Sequence, residues 1–150
     1  MKKLLLLLIL IVISLSSYSQ SYTQKYNSFL DRTDFYNSTG QIIGWAKENT
    51  FLNRLEYFDA TGKMTKYESH NTFLNRQETY DPSGNQKGYE QPNTFLNRND
   101  TYNTTGNQTG YKKWNEFLKR YDVYDASGKI VGYYTYNSFL NQWEYKANPY

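Results

Sequence analysis

Beyond an apolar run at the N-terminus, hydrophobic positions in this chain recur at a fixed period instead of gathering in blocks. The hexad Asn71-Thr72-Phe73-Leu74-Asn75-Arg76 returns as Asn49 to Arg54 and Asn93 to Arg98, and with small edits from Asn27, Asn115 and Asn137. Starts every 22 residues make five complete repeats and a fragment. Self-similarity at such a period signals a repeat architecture. Numbered from its first Asn, the repeat reads N-[ST]-F-L-N-R-x-[DE]-x-[YF]-[DN]-x-[ST]-G-x-x-x-G-Y-x-x-x. Departures include Asp31, Lys119, Glu116, Lys66 in place of Gly, and Trp45 in place of Tyr.

Turn chemistry divides each repeat. At Asp59-Ala60-Thr61-Gly62, Asp81-Pro82-Ser83-Gly84 and Asp125-Ala126-Ser127-Gly128, the acid can accept from nearby backbone amides and Gly supplies the left-handed residue that closes a hairpin loop. Runs of about six residues flank each turn, an ordinary strand length. Helix is not expected, because Gly and turn residues interrupt every window before three helical turns could form. The expected fold is all-β: tandem 22-residue hairpins in an elongated antiparallel meander of ten or eleven strands, with a closed β-roll or barrel from the same hairpins as the alternative.

Within the hexad, both Asn residues suit a turn, but Phe and Leu do not suit a solvated one. Phe29, Phe51, Phe73, Phe95, Phe117 and Phe139, with their Leu neighbours, are therefore expected to fold back as a continuous apolar spine. A three-residue first loop would place Arg, acid and Tyr of positions 6, 8 and 10 on the face of the second Gly, with positions 7, 9, 17 and 19 on the other. Repeats three and four put Gln77, Thr79, Asn99 and Thr101 where flanking repeats have Phe35, Leu55 and Tyr57. No face is strongly apolar throughout, which favours a thin sheet over a thick sandwich.

Composition narrows the function. Lys2 and Lys3, the hydrocarbon run Leu4 to Ile13, and Ser17-Tyr18-Ser19 form a signal-peptide pattern over residues 1–19, leaving 20–150 as the repeat domain. The run is too short to span a bilayer, so no stable membrane insertion is expected after cleavage. The expected location is secreted, periplasmic or cell surface. Without Lys2 and Lys3, 15 basic residues face 14 acidic ones, interleaved in every repeat, which gives no basic field for nucleic acid. There is no cysteine, which excludes disulfides and thiolate chemistry.

Candidate chemistry is sparse. Position 8 is always Asp or Glu, but each recurs two residues from Arg (Gln142 in the last copy). A repeated ion-pair ladder fits that monotony better than a glycosidase pair. The lone His70 lacks the partners of a metal site or a catalytic base. No enzyme, metal or cofactor is expected. Sequons at Asn37, Asn103 and Asn107 fall in the turns and are explained by turn chemistry. Aromatic residues are the one binding signal: 17 Tyr, 8 Phe and 3 Trp. Trp45, Tyr67, Tyr89, Tyr111 and Tyr133 at position 19, with Trp114, could stack on sugar rings or pair across strands.

Tyr57-Phe58-Asp59-Ala60-Thr61-Gly62-Lys63-Met64 and Tyr124-Asp125-Ala126-Ser127-Gly128-Lys129-Ile130 resemble the YD repeat of large bacterial surface and toxin-shell proteins. They are also similar to the aromatic hairpin repeats of cell-wall- and glucan-binding modules. That second resemblance implies sugar binding between successive hairpins, although Phe-Leu-Asn-Arg stands here in place of the modules' second aromatic motif. The expected function is an extracellular, non-catalytic binding or scaffold module with a glycan or a cell-surface protein as partner. The alternative is a structural protein that self-associates through edge strands.

Overall fold

A computed structural model describes residues 21–148; the signal-peptide segment and Pro149 lie outside the described residues. Twelve antiparallel strands follow one another. The first four are β1 (Tyr22–Asn27), β2 (Arg32–Tyr36), β3 (Ile42–Asn49) and β4 (Arg54–Asp59). Then come β5 (Met64–Asn71), β6 (Arg76–Tyr80), β7 (Gln86–Asn93) and β8 (Arg98–Asn103). β9 (Gln108–Asn115), β10 (Arg120–Asp125), β11 (Ile130–Asn137) and β12 (Gln142–Ala147) complete the set.

Both turns form where the sequence places them. Asp59 Oδ1 accepts from the amides of Thr61 and Lys63 at 2.9 and 3.1 Å, and Gly62 closes the loop at φ 88°. In the hexad, Asn71 Oδ1 accepts the Leu74 amide at 3.0 Å, and Asn75 takes the left-handed conformation at φ 48°. Asn at this position tolerates that backbone with little cost.

The hairpins do not extend into an open ribbon. β1 pairs with β12, so the sheet closes into a barrel. Of the two arrangements open to the sequence, the closed one is adopted, and its reason is in the register. Phe35 faces Gly44, Thr79 faces Gly88 and Val123 faces Gly132, always position 9 against position 18. At the seam Tyr145 faces Tyr22, again 9 against 18. The N-terminal strand is thus the missing half of the sixth repeat, and six equal steps close the ring. Closure leaves no unpaired strand edge among the described residues, so self-association through edge strands has nothing to act on.

Two further expectations are corrected. Between positions 9 and 10 each hairpin of β2 to β11 carries a bulge that leaves one residue unpaired: Ile43, Thr65, Lys87, Thr109 and Val131. One extra residue reverses the parity of the strand that follows. Positions 6, 8, 10 and 19 therefore share the outer face, while 7, 9, 18 and 20 point into the lumen. The Phe-Leu spine does not form. Phe29, Phe51, Phe73, Phe95, Phe117 and Phe139 are 92% to 94% exposed, because the tight Asn-capped turn throws its central residues outward from the rim.

The interior is not a conventional core. Ala46 and Tyr145 are the buried apolar residues among those described, beside the buried acids Asp34, Glu78, Asp100 and Asp122. A barrel of about eight strands just fits its own side chains, so twelve enclose more space than these can fill.

Candidate binding site in the barrel lumen

The outer face carries one motif around the ring. Glu78 accepts from Arg76 Nε at 2.7 Å, from Asn71 Nδ2 at 3.2 Å and from the Tyr80 hydroxyl at 2.5 Å. Asp34, Asp100, Asp122 and Glu144 take the same Asn donor, and all but Glu144 pair with the Arg two residues before them. The repeated ion-pair ladder thus runs along the strand after each hexad, from Arg to the acid two residues on, in β2, β4, β6, β8 and β10. The Tyr80 hydroxyl, then Arg76 and Asn71, hold the Glu78 carboxyl below its usual range despite burial. The Tyr80 hydroxyl is in turn pushed up to about 12, chiefly by that carboxylate.

The same motif occupies the position-19 series. The Arg32 guanidinium lies 4.2 Å from the Trp45 ring centre on the side of β2, and Phe58 of β4 stacks on the ring at 5.7 Å. Tyr67 lies between Arg54 and Tyr80, Tyr89 between Arg76 and Tyr102, and Tyr111 between Arg98 and Tyr124. Each of these four rings has both faces covered, so none offers a free face to a sugar. Tyr133 is capped by Arg120 on one side and pairs with Lys146 on the other strand. Trp114 stands apart from the series. It points to the lumen side and packs edge-on against Tyr121 at 4.9 Å, near the hexad rim.

Non-repeated chemistry collects in the lumen, in a cavity of about 590 Å³. One wall is aromatic. Phe35 and Tyr57 stack in parallel at 6.2 Å across β3, and Tyr22 bridges Phe35 to Tyr134, whose hydroxyl lies 2.9 Å from its own. Tyr121 and Trp143 continue this wall toward the hexad rim, where they are 41% and 37% exposed and mark the mouth. The facing wall, on β6 to β9, is polar: Gln77, Thr79, Glu90, Asn99 and Lys112.

Charges in the lumen balance. Lys112 Nζ reaches Glu90 at 2.8 Å over the intervening strand. Lys66 pairs with Glu68 and sits 4.0 Å over the Tyr57 ring, while the Tyr57 hydroxyl donates to the other Glu68 oxygen at 3.0 Å. Burial first, and then Glu68, raises the Tyr57 hydroxyl; burial first, and then Tyr22, raises Tyr134. Both phenols therefore stay protonated at neutral pH. The sequence did not single out Glu68, Glu90 and Lys112, because position 20 has no consensus to break. Lys66 in place of Gly was the visible signal.

No known protein family matches the chain, and no curated protein matches it in sequence. Among solved structures, the X-ray structure of a protein from Arabidopsis thaliana superposes with a TM-score of 0.65 at 11% identity, over 85% of this chain and 79% of the other. That likeness establishes a shared fold.

Proposed function

We propose that this chain is an exported, non-catalytic binding module whose lumen takes a neutral, ring-bearing polar ligand of the saccharide class. The observation that carries this reading is the opposition of an aromatic wall to a charge-balanced wall of amides, hydroxyls and ion pairs in one cavity. Sugar rings present apolar faces for stacking and hydroxyls that both donate and accept. A net-neutral lumen selects against a strongly charged ligand. A protected cavity with a few convergent polar groups is also where small ligands bind in barrels.

The test is a glycan array followed by calorimetry on the best oligosaccharide, with the chain recovered after export. Trp143→Ala and Tyr121→Ala alter the mouth, and Tyr89→Phe alters the outer ladder. Each lumen variant should bind about tenfold more weakly, since one stacked aromatic contributes on the order of 1 kcal/mol. Tyr89→Phe should bind as the parent does. The reading is discarded if the parent binds no glycan, or if the folded lumen variants bind unchanged.

A further inference from the structure

The two rims of the barrel are chemically unlike. At one, five turns such as Asn37-Ser38-Thr39-Gly40 and Asp59-Ala60-Thr61-Gly62 carry only small or polar residues. Ser21 and Ala147, hydrogen-bonded at 3.1 Å, lie at this same rim. At the other, six hexad turns each end in a Phe at least 92% exposed, followed by a Leu at 40% to 47% exposure. Six such tips on one rim are apolar side chains that no contact within the chain covers.

We propose that the hexad rim docks on a lipid surface, with the six Phe side chains entering the interfacial layer and the barrel axis standing across it. Geometry supports a planar, soft partner. Because the seam keeps the register of every other repeat, the six tips are related by rotation alone and lie at one height. Adjacent tips are two strands apart, about 10 Å or more. Their exposure shows that none rests on a neighbour. Separate coplanar points around an open mouth form no groove for a helix or strand. Nor do they supply the continuous patch of roughly 800 Å² per side that a stable protein interface requires. Two copies meeting rim to rim would touch only at the ends of the rings. Lipid has no such requirement, because each tip enters it independently.

The order of residues down from the tips fits the same partner. Below Phe and Leu, toward the lumen, stand Tyr26, Trp114, Tyr136 and Trp143 at the rim. On the outer face Arg32 and Arg120, one residue pair nearer the tips, run along their strands to the buried Asp34 and Asp122. Hydrocarbon at the tips with aromatics carrying a polar group just below, on the lumen side, fits a membrane interface. Exposed lysines Lys25, Lys47, Lys113 and Lys119 are nearly balanced by Asp31, Glu48 and Glu116 around this end. Attachment should therefore depend on apolar insertion and not on anionic headgroups. Such peripheral docking is distinct from spanning the bilayer.

The test is flotation of the exported chain, its N-terminus fixed by mass spectrometry, with pure phosphatidylcholine vesicles and with vesicles carrying added phosphatidylserine. The parent should float with both, in low and in high salt. Phe29→Ser, Phe73→Ser and Phe117→Ser combined should lower the partition coefficient by roughly tenfold or more, since half the inserting rings are gone. The sixfold Phe→Ser variant should stay in the soluble fraction. Circular dichroism identifies any variant that fails to fold, and the single Phe95→Ser variant then supplies the graded comparison. The proposal is overturned if the parent does not float with phosphatidylcholine, if folded variants float equally well, or if binding needs phosphatidylserine and vanishes in salt. It also falls if the parent forms a discrete dimer that the variants lose while no vesicle binding is seen.

Discussion

Arg76, Glu78 and Tyr89 on the outside of the barrel have counterparts in nearly every repeat, whereas on the inside Lys66 replaces a Gly and one position runs through Ala46, Glu68, Glu90, Lys112 and Tyr134. The two faces belong to the same strands and alternate residue by residue, so their difference cannot come from backbone geometry. The outer face uses one solution repeatedly: an acid held by Asn and Arg, with the guanidinium lying over a ring of the next strand. That motif joins neighbouring strands and supports closure where there is little apolar interior to do so. Freed of that task, the inner face varies from repeat to repeat. Periodicity here marks what holds the barrel, and broken periodicity marks what the barrel can hold.

The largest effect should come from breaking the outer motif at a buried acid. Asp122 is 1% exposed and accepts from Arg120 at 2.6 Å and Asn115 at 2.8 Å. Asp122→Ala leaves both donors without their partner, with an expected loss of about 3–5 kcal/mol in urea unfolding. Thr79→Ala, at a lumen position of the polar wall, should cost under about 1 kcal/mol. Similar losses for the two would abolish the distinction between faces. Removing a ring of the ladder should fall between them. Tyr89→Ala strips Arg76 of its platform and Tyr102 of its stack at 4.9 Å, for about 2 kcal/mol by the usual cation–π and stacking contributions.

Acid should act on the outer face next. Glu78 and Glu144 lie below their ordinary 4.5, the first chiefly through Tyr80 and the second chiefly through Asn137. Asn85 holds Asp81 down at about 2. A carboxylate depressed in the folded state contributes stability above its unfolded value and loses it as pH falls through its folded value. Stability should therefore decline progressively from pH 4.5 toward about 2. Tyr80→Phe removes the donor that depresses Glu78 most, so its acid midpoint should move to higher pH. An unchanged midpoint would show that the Tyr80 hydrogen bond is not formed in solution.

The fold was legible in the sequence to the level of the hairpin. The period and the Asp-x-[ST]-Gly turns appear as read, because local turn chemistry settles them. The strands that follow those turns have eight residues where about six were expected, and there are twelve strands in place of ten or eleven. Closure was legible only as an alternative. It depends on Tyr22 to Tyr26 supplying the second half of the sixth repeat, and that fragment lacks the hexad and turn residues that identify the others. Facing was misread because the bulges at Ile43, Thr65, Lys87, Thr109 and Val131 leave no mark beyond a variable residue. One residue of register exchanged inside for outside, so the aromatics singled out for binding, apart from Trp114, went to the ladder. Lys66 was visible as a departure, but its partners across the lumen were not, since their meeting is a property of the closed ring.

The smallest effect is expected where residue type would suggest the largest. A Phe in every repeat invites the view that these rings build the core, and burial of one would contribute roughly 1.5–3 kcal/mol. Phe73, however, is 94% exposed at a turn whose conformation is set by Asn71 capping the Leu74 amide and by left-handed Asn75. Neither device involves the ring. Phe73→Ala should therefore change the unfolding free energy by no more than about 0.5 kcal/mol, the usual range for a surface site. Asn75→Ala, in the same turn, should cost more, because a β-carbon without a compensating side-chain amide is strained at φ 48°. Paired urea titrations decide the matter. If Phe73→Ala cost more than Asn75→Ala, the ring would have to be packed against the protein in solution, and the outward-facing rim, with the lipid docking inferred from it, would be lost together.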